Sequence, residues 1–399
     1  MSFSALDLSS EVLRSVRDRG HHEPTAIQTG AIPIVLSGRD MVATAGTGSG
    51  KTAAFLLPLL NRLHANKTTG VSALILAPTR ELAAQIGHEF ELLSRNHRLR
   101  AVVIVGGESM SRQIHEVRGA QVVVACPGRL IDHLERGTVK LDRVELVVID
   151  EADRLLDMGF LPQLRRIVKT IHQAHQTLMF SATMNHGVEQ VAREFLRDPA
   201  RVNIGEVSAP PTSIKQAIYP VTQDNKAPML LELLKRSEVD SAIVFTRTKS
   251  RADRLTKMLV RNGIKAVAIH GDRSQSQRNA ALAGFRKGGY RVLVATDIAA
   301  RGLDIPDVSH VINFDMPDSP DSYIHRIGRT ARMGKSGEAM SLVTPEERIT
   351  LGEIERSLGE KLTRVAVEGF AAPVIPNKAR MVYSSSSRRQ PSRNRRRAG

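Results

Sequence analysis

Short apolar runs alternate with segments of helical pattern along most of this chain. The runs in the first half are nearly all apolar, whereas a half-exposed strand would alternate apolar and polar residues. They lie at Asp40–Ala43, Ala73–Ala77, Ala101–Val105, Val122–Ala125, Leu146–Ile149 and Thr177–Phe180. Continuous apolar strands are typical of a parallel sheet that is covered on both faces. Because helices lie between them, the pattern predicts a doubly wound α/β sheet, whose ligands bind beyond the carboxyl ends of the strands.

The predicted helices of the first half lie at Ala5–Arg19, Thr25–Leu36, Glu81–Ser94 and Ser109–Val117. The pattern fades at Gly205–Ser213, a stretch with two prolines that we interpret as an interdomain linker. Strands are predicted again at Ala242–Thr246, Ala266–Ile269, Val292–Ala295, Val308–Asn313 and Ala339–Val343. Helices are expected among them at Lys226–Lys235, Ser250–Val260, Gln275–Arg286 and Glu346–Leu358.

These patterns predict two tandem α/β domains. The first spans residues 1–204, the linker 205–213, the second domain 214–368 and a tail 369–399. The tail ends in a low-complexity run of Ser and Arg, which cannot bury enough apolar surface to fold alone.

The segment Ala45–Thr52, AGTGSGKT, connects an apolar run to a helical pattern, which is the setting of a phosphate-binding loop. Its turn consists of Gly46, Thr47, Gly48, Ser49 and Gly50. Their amides would face a polyphosphate, and missing Cβ atoms would let the backbone approach it. Lys51 would reach the β- and γ-phosphates, and the Thr52 hydroxyl would ligate Mg²⁺. Ala45 stands where the strict pattern has Gly, and the alternative is a chance surface turn.

Two acidic residues, Asp150 and Glu151, directly follow the predicted strand Leu146–Ile149. Beside a phosphate loop, Asp150 would hold Mg²⁺ through water, and Glu151 would act as general base on the water that attacks the γ-phosphate. Taken alone, the pair could instead cap a helix and fill its first turn. The second half of the chain has no phosphate loop, so we expect both domains to share one nucleotide at their interface.

The composition indicates a polyanionic partner. The chain has 399 residues, a formal net charge of +16 and a pI of about 10.4, which favours nucleic acid. From Lys378 onward there are eight basic and no acidic residues, so half of the excess charge lies in the tail and half in the predicted folded body.

Cys126 is the single cysteine, so no intrachain disulfide can form. A reducing cytoplasm fits this composition, and we expect Cys126 to be a buried structural residue. No apolar run approaches the roughly 18 residues that span a bilayer. The first residues, Met1–Ser4, lack the layout of a secretory signal. The prediction is a cytoplasmic protein without a membrane segment.

Residues 150–153 read D-E-A-D, and the chain resembles the DEAD-box family of ATP-dependent RNA helicases. The resemblance covers roughly residues 3–345 and rests on an ordered set of motifs. The first half has GHHEPTAIQ (20–28), AGTGSGKT, PTREL (78–82), GG (106–107), PGR (127–129), DEAD and SAT (181–183). The second half has VFT (244–246), Gln275 with Arg278, TDIAARGLD (296–304) and HRIGRTAR (325–332). The layout is most similar to the compact bacterial RhlE-type group.

The resemblance implies two RecA-like domains that close on ATP and RNA. Gln28, in a Q motif within residues 1–29, would read the adenine edge, and Phe3 would stack on the ring. The alternatives are a surface Gln and a loosely held terminal Phe. From the second domain, Arg329 and Arg332 would approach the γ-phosphate as arginine fingers, and Asp304 would touch the ribose.

The resemblance also implies coupling between the ATP state and duplex separation. His325 and Arg326 would help to link the DEAD segment with Ser181, Ala182 and Thr183. The plainer interpretation of HRIGRTAR is an ordinary basic helix start.

RNA contacts are implied in both domains. The first domain would supply Pro78, Thr79, Arg80, Gly106, Gly107 and Arg129. The second would supply Thr246, Gln275, Arg278 and Thr296. Arg side chains, hydroxyls and Gly amides suit phosphate and sugar contact without base readout. With no Trp and 4% aromatic residues, base stacking is not expected to dominate binding.

Two positions depart from the family pattern. Cys126 stands where Thr commonly precedes Pro-Gly-Arg, which removes one hydroxyl contact to RNA. Ala331 stands where Gly is frequent before Arg332, and the substitution is expected to be harmless if a helix there tolerates a methyl group.

The predicted activity is hydrolysis of ATP to ADP and phosphate with local separation of short RNA duplexes or remodelling of RNA–protein complexes. ATP and Mg²⁺ are the expected cofactors, RNA is the expected partner, and a monomer is expected. The tail would tether RNA nonspecifically. The alternatives are an ATP-gated RNA clamp or annealing scaffold, and a DNA translocase, because phosphate contacts do not distinguish the sugars.

Overall fold

The computed structural model describes residues 2–46, 48–65, 70–95, 97–204, 214–236, 238–300, 308–331 and 337–370. Within them, each half of the chain forms a parallel sheet of seven strands. Helices follow most of the strands and cover the sheets, which confirms the predicted tandem doubly wound α/β domains.

The first domain is built on strands β1 to β7. They are β1 Met41–Ala45, β2 Ala73–Leu76, β3 Ala101–Ile104, β4 Val122–Ala125, β5 Leu146–Ile149, β6 Gln176–Ser181 and β7 Ala200–Ile204. The helices are α1 Ser10–Asp18, α2 Ala26–Leu36, α3 Lys51–Ala65, α4 Arg80–Leu93, α5 Met110–Val117, α6 Pro127–Glu135, α7 Ala152–Asp157, α8 Leu161–Val168 and α9 His186–Phe195. The strand order is β3-β4-β2-β5-β6-β1-β7.

The second domain repeats this plan. Its strands are β8 Ile214–Pro220, β9 Ala242–Thr246, β10 Ala266–Ile269, β11 Val292–Thr296, β12 His310–Asn313, β13 Gly337–Val343 and β14 Thr363–Arg364. Its helices are α10 Lys226–Lys235, α11 Lys249–Arg261, α12 Gln275–Arg286, α13 Asp297–Ala300, α14 Pro320–Ile327 and α15 Arg348–Leu358. The strand order is β10-β11-β9-β12-β13-β8-β14.

Strand β5 shows why the predicted strands are continuously apolar. Successive side chains of a strand point to opposite faces of the sheet. Leu146 and Val148 pack in the apolar cluster on one face, and Val147 and Ile149 pack in the cluster on the other. All four are almost completely buried. The strand therefore ends in a fixed position, with the acidic pair directly beyond it.

Side-chain caps fix the helices that start at the carboxyl edge of each sheet. Thr79 Oγ1 accepts a hydrogen bond from Leu82 N at 3.4 Å at the start of α4. Ser274 Oγ accepts one from Gln277 N at 3.3 Å, and Gln277 Oε1 accepts one from Ser274 N at 3.0 Å, at the start of α12. These reciprocal bonds satisfy amides that have no partner within the helix.

The predicted strands all occur, most with ends shifted by one or two residues. One example is Val308, which makes only an isolated bridge to Thr330, so that β12 begins two residues later. The predicted helix Ala5–Arg19 is wrong in its first half. Asp7 has a φ of 51°, which interrupts the helix, so α1 begins at Ser10 after a short 3₁₀ turn at Phe3–Ala5.

The described chain extends slightly beyond the predicted end of the second domain. Val365, Val367 and Phe370 pack against its apolar core, and Val365 N donates to Ile218 O at 2.8 Å. Packing against this core therefore continues to Phe370, two residues beyond the predicted boundary, which stays a prediction. The predicted linker and the tail from residue 371 lie outside the described residues. Within the part of the chain that the structure describes, no helix has the length and apolar character of a transmembrane span.

Candidate functional site

The phosphate loop turns sharply between β1 and α3. Gly48 has a φ of +82° and Gly50 a φ of +94°, a left-handed backbone that glycine adopts without strain. A Cβ on Gly50 would lie 2.5 Å from Gln28 Nε2, so the close approach of α2 also requires glycine. Ser49 Oγ donates to Gly46 O at 2.8 Å and closes the turn.

Lys51 lies at the start of α3, with its side chain folded over the loop. Its Nζ donates to Ala45 O at 2.9 Å, and the residue is 9% exposed. The amino end of a 15-residue helix points at the same space. A phosphate there would meet both the ammonium group and the positive end of the helix dipole.

The amide of Gln28 holds the Q motif against the phosphate loop. Gln28 Oε1 accepts from Thr25 N at 2.9 Å, and Nε2 donates to Gly50 O at 3.1 Å. A primary amide has two donors and two acceptor sites, so one of each is left for an adenine edge. The adenine contact of Gln28 stays a prediction.

Phe3 packs within the first domain. The residue is 4% exposed and belongs to the apolar core, where Leu6 and Leu8 also pack. This packing anchors the amino-terminal segment. The stacking of Phe3 on an adenine ring stays a prediction.

Asp150 follows β5 and is 3% exposed. Burial raises the pKa of its carboxyl group to about 6, although the Lys51 ammonium opposes this effect. The Asp150 Oδ1 atom accepts from Glu151 N at 2.9 Å. A buried carboxylate that water does not solvate binds a cation favourably.

Glu151 stands in a strained backbone conformation between β5 and α7. Its φ is 50° and its ψ is 54°, which costs a residue with a Cβ roughly 1–2 kcal/mol. Burial tends to raise the pKa of Glu151, but Arg154, Lys51 and Arg329 outweigh it, and the pKa lies below its ordinary value. Arg154 Nη1 donates to Glu151 Oε2 at 2.7 Å. The side chain is therefore held as an ionised base.

Thr52 and Asp150 suit a magnesium ion that is bound together with a nucleotide. Mg²⁺ prefers oxygen ligands, keeps several waters and is usually held by one or two carboxylates plus substrate phosphates. The hydroxyl and the buried carboxylate supply such oxygens. Among the described residues no group of three or more His, Cys, Asp or Glu could hold a metal ion by itself.

Asp153, a residue that the sequence interpretation did not assign, connects the DEAD segment to the SAT segment. Its Oδ2 accepts from Ala182 N at 3.0 Å and from Thr183 N at 2.9 Å. Asp153 N in turn donates to Ser181 Oγ at 3.3 Å. The sequence could have suggested this link, because Asp side chains commonly accept hydrogen bonds from backbone amides.

Residues of both domains line one small cleft. Lys51 and Glu151 line it from the first domain, and His325 and Arg329 line it from the second. Thr183 lies in the same wall. The structure thus brings together the predicted phosphate-binding lysine, general base, coupling residues and one arginine finger.

Arg326 is not among the residues that line this cleft, and its predicted help in linking the DEAD segment with the SAT segment stays a prediction. Its guanidinium is 3% exposed and forms two hydrogen bonds of 2.6 Å with Asp297. It also donates to Asn313 Oδ1 at 3.0 Å and to Asp315 O at 2.7 Å. These contacts hold the ends of β11 and β12 together inside the second domain.

The predicted RNA residues lie at the carboxyl edges of both sheets. Pro78, Thr79 and Arg80 follow β2, Gly106 and Gly107 follow β3, Arg129 follows β4, Thr246 ends β9, Thr296 ends β11, and Gln275 and Arg278 begin α12. The Arg80 guanidinium occupies the space that a Cβ on Gly107 would need.

Glu81, which the sequence interpretation also missed, joins the two domains on this RNA side. Its Oε1 lies 2.8 Å from Arg278 Nη2 and accepts from Gln275 Nε2 at 3.2 Å. The side chains of Glu81 and Arg278 are 8% and 13% exposed. Burial lowers the pKa of Arg278, and Glu81 opposes that effect. A pair this buried holds the domains close.

Among the residues that the structure describes, several polar atoms around this bridge find no hydrogen-bond partner although they are buried. They are Arg80 Nε and Nη2, Gln275 Oε1 and Arg278 Nε. Leaving such atoms unsatisfied costs roughly 1–3 kcal/mol each. Three of the four atoms are guanidinium donors, which favours an anion such as a phosphate as the missing partner.

Three predicted site residues, Thr47, Asp304 and Arg332, lie outside the described residues.

Cys126 is buried as expected. Ala331 does not continue a helix: its φ is 59°, the left-handed region that favours glycine. The expectation that Ala331 is harmless assumed a helix at this position, and that assumption was wrong.

Family comparisons agree with this site. Residues 25–191 match the DEAD/DEAH box helicase family, and residues 225–334 match the helicase conserved C-terminal domain. The DEAD-box ATP-dependent RNA helicase CshA of Bacillus cereus is 43% identical over 365 residues, which are 91% of this chain and 69% of that protein. The placement near the RhlE-type group stays a prediction, because this relative carries the name CshA.

Two solved structures show how the domains are placed. Dbp5 of S. cerevisiae bound to RNA and ADP BeF3 is 32% identical, with a TM-score of 0.84 over 92% of this chain and 95% of that one. A DEAD box protein of Methanococcus jannaschii is 39% identical over 92% of this chain and 99% of that one, with a TM-score of 0.53. At a TM-score of 0.84 over most of both chains, the arrangement of the two domains is similar to that of RNA-bound Dbp5. This chain belongs to the DEAD-box family of ATP-dependent RNA helicases.

Proposed function

We propose that this chain hydrolyses ATP between its domains and thereby separates short RNA duplexes. The observation that carries the proposal is the shared cleft, where Lys51 and Glu151 of the first domain and Arg329 of the second line one space. Neither domain alone holds both the base and the arginine. Hydrolysis should therefore require domain closure.

Each side of the cleft contributes a different part of phosphoryl transfer. The amides of the phosphate loop and Lys51 bind the phosphates, and Glu151 orients and deprotonates the attacking water. Arg329 stabilises charge on the transferred phosphoryl group, with Arg332 assigned beside it by resemblance. Mg²⁺ held by Thr52 and Asp150 would neutralise phosphate charge.

RNA would bind along the carboxyl edges of both sheets. The unpartnered donors of Arg80 and Arg278 support backbone phosphates as their partners. Because these residues come from different domains, one RNA strand would favour closure. If closure bends that strand out of duplex geometry, a few base pairs are lost. At about 1.4 kcal/mol per stacked step, measured for DNA, one closure suffices for short duplexes.

Both halves of the site come from a single chain, so we propose that it acts as a monomer. The lone, buried Cys126 supports a reducing location, and we propose the cytoplasm.

We also propose that residues 369–399 tether RNA. Truncation at Gly369 should lower the salt dependence of RNA binding, and an unchanged dependence would refute the tether.

The first experiment compares ATPase stimulation by RNA and DNA of one sequence. We expect RNA to stimulate turnover and DNA to stimulate it weakly, and equal stimulation would favour a DNA translocase. Glu151→Gln and Arg329→Ala should each reduce turnover by about 10²-fold or more. Undiminished turnover in Arg329→Ala would contradict the shared cleft.

The second experiment separates a helicase from an ATP-gated clamp, an alternative that the buried Glu81–Arg278 bridge also supports. Release of 10- and 40-base-pair duplexes is measured beside ATP turnover. A helicase of the proposed kind releases the shorter duplex in proportion to turnover. A clamp would bind RNA in the presence of ATP, but duplex release would not rise in proportion to ATP turnover. Equal release rates for both duplexes would indicate processive translocation.

A further inference from the structure

Helix α11 carries an exposed row of basic side chains. Arg254, Lys257 and Arg261 are three and four residues apart, so they share one face of the helix. Leu255 and Leu259 bury the opposite face in the core of the second domain. At about 1.5 Å per residue, the row spans about 10 Å. We call these three residues the basic row.

No hydrogen bond or ion pair is found for the basic row within the residues that the structure describes. In contrast, exposed arginines of the first domain form ion pairs. Arg165 Nε lies 2.7 Å from Glu194 Oε1, and Arg201 Nη1 lies 2.8 Å from Glu189 Oε1. Like charges three and four residues apart on a helix destabilise it slightly. The row therefore has no evident role in stabilising the fold.

The basic row lies on the helix that follows a predicted RNA contact. Thr246 ends β9, and α11 starts at Lys249 after the cap Thr248, whose Oγ1 accepts from Arg251 N at 3.2 Å. Because a helix that connects parallel strands runs back along the face of the sheet, the row leads from the side of the carboxyl edge along the outer face of the second domain. An RNA strand that passes this edge and follows the helix would meet Arg254 first.

We propose that the basic row binds the phosphates of single-stranded RNA that extends past the carboxyl edge of the sheet beside β9. The inference rests on the proposed RNA binding and adds a site beyond the family motifs. Arg and Lys side chains on a solvated face suit phosphate contact without base readout. A protein partner would need a buried apolar centre, and Val260 is the one exposed large apolar side chain that α11 supplies.

The test is the salt dependence of RNA binding by the full chain. Arg254→Gln/Lys257→Gln/Arg261→Gln is compared with the unsubstituted protein on 10- and 30-nucleotide oligo(U). Each lost phosphate contact on a single strand lowers the slope of log K against log[salt] by about 0.7. We expect a decrease of about 2 on the longer RNA and almost none on the shorter one. ATP turnover at saturating 10-nucleotide RNA should stay unchanged.

A control variant removes the same charge elsewhere. Arg165→Gln/Arg166→Gln/Arg201→Gln also loses three positive charges, on the first domain, and should keep the original slope. An equal decrease in this control, or no decrease in the row variant, would overturn the proposal. Displacement of the longer RNA by polyglutamate as effectively as by RNA would also overturn it. Failure of the proposed function would look different, since the unsubstituted protein would then show no RNA-stimulated ATPase activity.

Discussion

The carboxylate of Asp153 accepts two hydrogen bonds from Thr183, one from the amide at 2.9 Å and one from the hydroxyl at 3.2 Å. Both residues line the cleft between the domains. Glu151, two residues before Asp153, lies in the same cleft. A displacement of the DEAD segment would therefore reach the segment after β6 through these hydrogen bonds.

Asp153→Asn should uncouple hydrolysis from duplex separation. The substitution replaces one carboxylate oxygen by an NH₂ donor, and either orientation weakens the bonds from the amides of Ala182 and Thr183. Hydrogen bonds to a charged group contribute about 1.5–3 kcal/mol. We expect the number of duplexes released per ATP hydrolysed to fall at least about tenfold. Asp142→Asn, in an exposed turn, is the control, and an unchanged ratio in Asp153→Asn would contradict the link.

Local signals in the sequence are enough to predict most of the first-domain site. A continuously apolar strand fixes where Asp150 and Glu151 emerge, and the glycines of the phosphate loop are needed for its backbone. The role of Glu81 has no such signal. It resembles an ordinary acid in the first turn of a helix, and its partner Gln275 is 194 residues away. Pairs this distant depend on domain placement, which no local pattern encodes.

The strands that the sequence did not predict lie at or beside sheet edges. β7 and β14 are edge strands, and β8 lies next to β14. β7 contains Arg201 and Asn203, and β8 contains Lys215 and Gln216, because these strands are only partly covered. Their mixed composition hides them from a search for continuous apolar runs.

Ala331→Gly should stabilise the second domain. Ala331 has a φ of 59°, and a Cβ in that conformation costs roughly 1–2 kcal/mol. The greater freedom of glycine in the unfolded chain offsets about 0.4–1 kcal/mol of the gain. A small rise in the thermal unfolding temperature is expected, measured beside Ala280→Gly within α12, which should lower it. A lower unfolding temperature for Ala331→Gly would show that the strain is not released.

Cys126 should be inert to alkylation in the folded protein. Burial raises the pKa of its thiol from 9.0 to about 12, so the reactive thiolate is about 1000-fold rarer at pH 8 than for an ordinary thiol. Iodoacetamide should modify the denatured chain within minutes and the native chain far more slowly. The native rate should rise with pH until about pH 12 or until the protein unfolds. Rapid native modification at pH 8 would contradict the burial of this residue.

The Glu81–Arg278 bridge should stabilise the closed arrangement of the domains. Its two side chains are nearly buried, and Oε1 and Nη2 are 2.8 Å apart, so removing one charge leaves the other unpaired between the domains. We expect Glu81→Gln to shift the equilibrium toward the open state about tenfold, as measured by fluorescence transfer between labels on the two domains with an ATP analogue and RNA. Adding Arg278→Gln should produce less than the sum of the single effects, because neighbours in contact couple by about 0.5–3 kcal/mol. Glu91→Gln, on the exposed face of the same helix, is the matched control. Additive effects of the two substitutions would mean that the contact does not contribute to closure.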